Sequence, residues 1–359
     1  MANAQVYQTK LKRLVFENEL TVGTAETVDA DSITIPAYDV SIDRGRGTQQ
    51  IDRAATLDGF PGAQKNVPGS FGTNLSFNAE IHDTTDVLPI WGRLLLGCGF
   101  RALDDTVSTV SFYPSTNQID GFGAGPAYDP NSLTFGVATF IDAEDDVEQE
   151  TFGATGACTW TLASGERPVI NYTFVGKNEG DFITAVATSD FGDNTVSSTE
   201  MTNLPIIVKG ITATISGVDP IALSTMEVSW NQETPDVLDP TEADGFAVSP
   251  VLWQNGPTVT FTIGANQTNN TQFFQKFKSG ATASIDIVMD SGAGFGGSRQ
   301  IQIFLEQVQF QGVSWGDANG YETYEIEAKV VRDAGQDYDT PSPGPGIPGS
   351  EAKIVWTYA

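Results

Sequence analysis

The chain has 359 residues, a formal charge of −28, two cysteines and a single histidine. That length accommodates two domains of ordinary size, and the acidic excess, spread over both halves, excludes a protein that wraps nucleic acid through clustered Lys and Arg. One histidine leaves neither a zinc site nor a Ser-His-Asp triad its usual parts; Cys98 and Cys158 make no disulfide framework and are expected to be reduced and buried.

Taken in chain order, Lys10, Lys12 and Arg13 precede only Leu14, Val15 and Phe16 before Glu17, so no signal-peptide core is read there. No run approaches the ~18 apolar residues of a membrane span, and the expectation is a soluble chain made in the cytoplasm. Residues 43–72 read as a long Gly/Pro/Asp-rich loop that gathers Arg44, Arg46, Arg53 and Lys65 in a chain otherwise poor in cations. That loop is either a mobile surface segment or a clasp between subunits. From Thr73 to Ile81 the residues alternate: Leu75, Phe77, Ala79 and Ile81 share one face, Ser76, Asn78 and Glu80 the other, which predicts a half-buried strand.

His82 reads as a surface imidazole at the strand end. A short helix follows, with Asp86 as N-cap, Pro89 in the first turn, Leu88, Trp91, Leu94, Leu95 and Cys98 on one stripe, and Gly99 as its stop. Val107 to Tyr113 and Ser132 to Ile141 read as strands around a Gly/Pro/Ser-rich loop. Asp142, Glu144, Asp145 and Asp146 imitate the start of a calcium loop, but its Gly and closing Glu are missing, so they read as a solvated acidic turn. Ala157 to Leu162 and Val169 to Val175 form a hairpin around Ser164-Gly165-Glu166.

The second half repeats the order. Ile206 to Ile215 and Met226 to Trp230 read as strands, and the early loop from Asn231 to Pro257 is acidic. Val259, Phe261 and Ile263 alternate with threonines; a helix follows with Asn269 or Asn270 as cap, Phe273, Phe274 and Phe277 as stripe, and Gly280 as stop. Ser284 to Met289 and Gln300 to Leu305 are strands, and Glu306 to Phe310 pairs with Tyr321 to Val331 around a Gly316-Asp317 turn. A Pro/Gly stretch, Pro341 to Gly349, then feeds a last strand from Lys353 to Tyr358.

The expectation is a mainly β protein of two tandem modules, 1–200 and 201–359, each a β-sandwich or half-barrel with one flanking α-helix. Phe77 aligns with Phe261 and Trp160 with Phe310, so the first copy carries roughly thirty extra residues after its helix. Repeats of this kind bury their apolar faces against one another, which points to assembly and away from catalysis. Gly121 to Pro126 and Gly292 to Gly297 open no helix after a strand, so no dinucleotide site is read. Nothing selects a catalytic pair among the 46 acids. No enzymatic activity, cofactor or metal is expected.

The segments Phe16 to Thr24, the loop and strand through Ile81, Leu88 to Phe100 with its Trp-Gly-Arg-Leu-Leu-Leu-Gly-Cys-Gly-Phe run, Ser132 to Ile141, and Gly153 to Gly176 resemble the tail tube (major tail) proteins of long-tailed, siphovirus-like phages. The resemblance covers most of the first 180 residues. It implies a virion structural protein, made in the host bacterial cytoplasm, whose rings stack into a non-contractile tube. Inner strands would join into a β-barrel around an acidic bore that passes DNA around the tape-measure protein without binding it specifically. Implied partners are further copies of the chain, the tape-measure protein, and tail terminator and distal tail proteins, with no membrane.

In that family rings stack through the long early loop, here 43–72. Arg44, Arg46, Arg53 and Lys65 would then meet acidic loops of the adjacent ring, such as Asp142, Glu144, Asp145 and Asp146. Most members supply one fold per subunit and form hexamers, so a duplicated chain implies a trimer with pseudo-sixfold symmetry, a true hexamer being the other outcome. The second copy lacks the Trp-Gly-x-Leu-Leu pattern. Two other readings stand beside this one: the tube of a contractile injection or secretion system, and a carbohydrate-binding β protein with six Trp.

Overall fold

A computed structural model describes residues 12–19, 23–25, 33–46, 50–51, 67–68, 72–106, 108–114, 138–144, 147–177, 183–184, 206, 211–216, 223–239, 241, 245–253, 256–264, 267–289, 299–318, 320–331 and 352–358. The fold is mainly β. The first half holds β1 (Lys12–Asn18), β2 (Ile33–Thr34), β3 (Ala37–Arg46), β4 (Gln50–Ile51), β5 (Val67–Pro68), β6 (Gly72–Glu80) and α1 (Ile90–Gly97). It continues with β7 (Phe100–Thr106), β8 (Thr109–Pro114), β9 (Ala138–Glu144), β10 (Val147–Ala163), β11 (Val169–Lys177) and β12 (Ile183–Thr184). The second half holds β13 (Ile211–Ile215), β14 (Leu223–Ser229), β15 (Gln232–Glu233), β16 (Leu252–Trp253), β17 (Thr258–Gly264) and α2 (Gln267–Ser279). It ends with β18 (Thr282–Met289), β19 (Gln300–Ala318), β20 (Tyr321–Val330) and β21 (Ala352–Thr357).

The pairings of the two halves correspond strand for strand. β3 pairs β6, β6 pairs β11, and β11 pairs β10; in the same order β14 pairs β17, β17 pairs β20, and β20 pairs β19. The N-terminal parts of β10 and β19 each leave that ladder to pair β9 and β18, which pair β1 and β13 in turn. Even the strand after the hairpin matches, β12 on β10 and β21 on β19. Phe77 lies across from Tyr172, and Phe261 across from Ile326, so the two phenylalanines are equivalent. Among the described residues the β7–β8 hairpin has no counterpart in the second half, and its β8 pairs β21.

Several expectations change. The expected strands Gln300 to Leu305 and Glu306 to Phe310 are one long strand, β19, and the strand expected from Ala157 begins at Val147 as β10, because both stay extended through a bulge and serve two ladders. Gly316 and Asp317 therefore lie inside β19, and the turn falls after them at Gly320, φ +85°. With Cys158 opposite Tyr172 and Val313 opposite Ile326, Trp160 corresponds to Trp315, not to Phe310. Residues 43–46 and 72 of the expected loop are strand, and β4 pairs β5 within it. Helix α1 starts only after Pro89, so Asp86 is not its cap; α2 begins at Gln267 and takes Asn269 and Asn270 inside. Gly99 and Gly280, at φ +81° and +65°, end the two helices in the left-handed conformation that glycine adopts without cost.

The core runs through both halves as one cluster, so the halves do not bury separate cores. On β6 the alternation buries Leu75, Phe77 and Ala79 against Phe140, Tyr172 and Phe174. Helix α1 lies within the core: Trp91 meets Phe112 of β8, Trp160 of β10 and Trp356 of β21 at centroid distances of 5.4, 5.5 and 6.0 Å. Each such side chain contributes on the order of 1.5–3 kcal/mol by leaving water. Among its described side chains, helix α2 fully buries only Phe273, onto Phe261 and Phe310, and leaves Phe277 exposed. No described helix is long and apolar enough to cross a membrane.

Candidate assembly surface

Two antiparallel pairings join the halves, β10 with β14 and β8 with β21, and the first of them is the seam that continues the main ladder. Thr159 lies across from Ser229, Trp160 from Val228, Thr161 from Glu227 and Leu162 from Met226. Trp160, Leu162, Met226 and Val228 fall on the core face and are fully buried. A main ladder thus runs β3, β6, β11, β10, β14, β17, β20, β19 through the whole chain.

Polar contacts lock the seam. The Gln232 amide donates to the Cys98 carbonyl, and its oxygen accepts the Cys158 N–H at 2.8 Å, so one side chain from β15 ties α1 to β10. Thr155 Oγ1 donates to the Ser249 carbonyl at 2.7 Å, and Trp230 stands edge-on to Phe100 at 4.9 Å. Arg299 pairs with Asp83 at 2.8 Å, and the Trp356 indole N–H donates to the Asp86 carbonyl at 3.0 Å. Burial pushes the Cys98 thiol well up, helped by the hydrogen-bonded thiol of Cys158, and both cysteines are free and buried.

The two ends of the ladder stay open among the described residues. No described strand pairs β3 on the side away from β6, and none pairs Ser314 to Asp317 of β19 on the side away from β20. Among the described residues the strand pairs therefore form an open ladder with no closing pair between its two ends. Asp39, at φ 53°, makes a bulge in β3 that leaves Val40 43% exposed. At the other end Trp315 is 55% exposed, with one face on Tyr324 at 4.7 Å.

The outer face of the ladder is polar. One row runs Glu80, Val169, Thr161, Glu227, Thr260, Glu327, and the next Asn78, Asn171, Thr159, Ser229, Thr258, Lys329. A groove on this face is lined by Thr159, Ser229, Thr258, Glu327 and Lys329 among others. Arg167 pairs with Glu80 at its edge.

Of the residues singled out from sequence, Arg44 and Arg46 lie on β3, and Asp142 and Glu144 on β9. β6, β11 and β10 separate those two strands, so the backbone of one copy does not bring the groups together. Arg53, Lys65, Asp145 and Asp146 lie outside the described residues. His82 is buried, contrary to expectation, with Nε2 3.6 Å from Glu80, and the Ile206 N–H donates to the carbonyl of its neighbour Ile81. Sequence reasoning missed Trp315 and the seam itself; aligning Trp160 with Phe310 misplaced the hairpin register that would have pointed to Trp315.

Among the described residues no group of three or more His, Cys, Asp or Glu converges as a metal site. No family model and no curated protein matches the chain.

Proposed function

We propose that this chain is a structural subunit of a non-contractile tail tube, in which copies join side by side into rings that stack around a channel. The observation that carries the reading is the duplicated ladder: one seam inside the chain joins equivalent units head to tail, and both ends of the ladder repeat the edges that make it. Interfaces of that kind generate rings when the rotation closes. Eight strands per chain, β3, β6, β11, β10, β14, β17, β20 and β19, would give a three-chain ring 24 staves. At about 4.8 Å between strands such a cylinder is about 37 Å across at the backbone before tilt widens it.

The outer polar face supplies the lining. Glu227, Glu325 and Glu327 repel phosphate at short range, and threonines fill the spaces between them, so a duplex passes without adhering. A sugar-binding reading draws less support, because Trp91, Trp160, Trp230 and Trp356 are fully buried and Trp315 alone is widely exposed among the described Trp residues, so no stacked aromatic platform forms. Negative-stain electron microscopy of the concentrated protein tests the proposal. Rings and stacked tubes are expected; particles that stay monomeric under all assembly conditions overturn it.

A further inference from the structure

We infer that the end of β19 in one copy adds, antiparallel, to the open edge of β3 in a second copy, with Trp315 opposite Ile42. This interface rests on the proposed assembly role and gives it residues and a register. Its template lies inside the chain. In the seam, Thr159, Trp160 and Thr161 of β10 face Ser229, Val228 and Glu227 of β14. The hairpin registers carry Thr159, Trp160 and Thr161 onto Ser314, Trp315 and Gly316. The β6 and β17 registers carry Ser229, Val228 and Glu227 onto Asp43, Ile42 and Ser41. The second copy is therefore joined by the pairs Ser314–Asp43, Trp315–Ile42 and Gly316–Ser41.

Exposure follows the same map. Trp160 is 0% exposed because the second half covers it, whereas Trp315, at the same register position, is 55% exposed. Ile42 and Val313 are half-covered at the rim of the core, as expected of side chains whose cover is supplied by another molecule. Val40 and Phe277 add exposed apolar surface at the two ends, and Phe274 of α2 lies 6.4 Å from the Trp315 ring. An aromatic anchor inserted beside a paired edge has the character of an interface hot spot, and an open edge invites addition of a strand. The three pairs set no like charges opposite one another. Asp317 stands where Leu162 stands in the seam and accepts the Gly320 N–H at 3.1 Å, so the joint stops two residues earlier than its internal counterpart, which runs on to Ala163.

The test uses the full chain. In Ser314→Cys/Asp43→Cys, mild oxidation is expected to link copies covalently into closed rings, seen as a ladder on non-reducing gels; the native thiols are buried and do not compete. Ser314→Cys/Ser41→Cys, slipped by two residues, sets the Cβ atoms roughly 7–8 Å apart, beyond the ~4 Å a disulfide spans, and is expected to stay unlinked. Trp315→Ser is expected to melt like wild type as a monomer while raising the concentration for half-assembly about tenfold or more. Rings that form without the first cross-link, preferential linking of the slipped pair, or unchanged assembly of Trp315→Ser each overturn the interface and leave the tube proposal standing. Wild-type protein that never assembles removes both.

Discussion

Trp160 and Trp315 occupy one register position in two copies of the same hairpin, across from Ile170 and Tyr324, yet the first is sealed and the second is open to solvent. The difference is not local, since both rings stand over a helix, Trp91 of α1 under one and Phe274 of α2 under the other. For the isolated chain, Trp160→Ala is expected to cost about 3–5 kcal/mol. Trp315→Ala should stay within about 0.5 kcal/mol, as surface changes do. Urea unfolding of the two variants at concentrations below assembly measures the contrast.

Gln232→Ala removes the only described side chain that pairs the Cys158 N–H and the Cys98 carbonyl across the seam. Each buried group left unpaired costs about 1–3 kcal/mol. Lower urea resistance is expected together with faster hydrogen exchange at the Cys158 amide, whereas a mere loss of packing would leave that amide protected.

Cys98 and Tyr172 give a pH signature. Burial raises Cys98 well above the usual thiol range, and burial raises Tyr172 above the usual phenol range. For groups raised on folding, the stabilising effect is complete below their unfolded values and fades as pH rises, because the unfolded chain ionises first. Stability is therefore expected to fall above about pH 8.5 and more steeply above about pH 10. Iodoacetamide at pH 8 should label neither cysteine in the native protein and both in urea.

Gly92 sits inside α1, where alanine ordinarily gains about 1 kcal/mol of helix propensity. Here an added Cβ would lie 2.7 Å from Cζ of Phe112, a fully buried ring also held against Trp91. Overpacking of that kind costs about 1–3 kcal/mol. Gly92→Ala is expected to lower the melting temperature, and a rise would mean that the ring can retreat.

Deleting residues 352–358 removes β21 and bares the facing edges of β8 and β19 together with the pocket of Trp356. Lower thermal stability and concentration-dependent aggregation of the truncated chain, followed by light scattering, are the expected outcomes.

Much of the fold was legible because the signal was local. Leu75, Phe77 and Ala79 alternate with polar residues on a sheet wetted on one side, and the same holds for Val259, Phe261 and Ile263. The stops at Gly99 and Gly280 were legible for the same reason. What failed was longer in range. The unity of β10 and β19 depends on partners far away in sequence, and glycines with acidic residues along them imitate turns. The Ile206 N–H that docks on the Ile81 carbonyl beside His82 likewise comes from far along the chain. As for the candidate surface, alternation gives Trp160 and Trp315 identical patterns, and only the three-dimensional register tells which one the chain leaves uncovered.

The long strands β10 and β19 each belong to two ladders at once. A pull along either one loads rows of hydrogen bonds on both sides in shear, so they must yield together instead of opening one by one like a zip. Their bulges, between Thr151 and Ala154 and between Phe310 and Gly312, interrupt those rows and are the points where the strands bend under load. Stiffness along the strands and compliance at two fixed joints per chain are thus written into the same pair of segments.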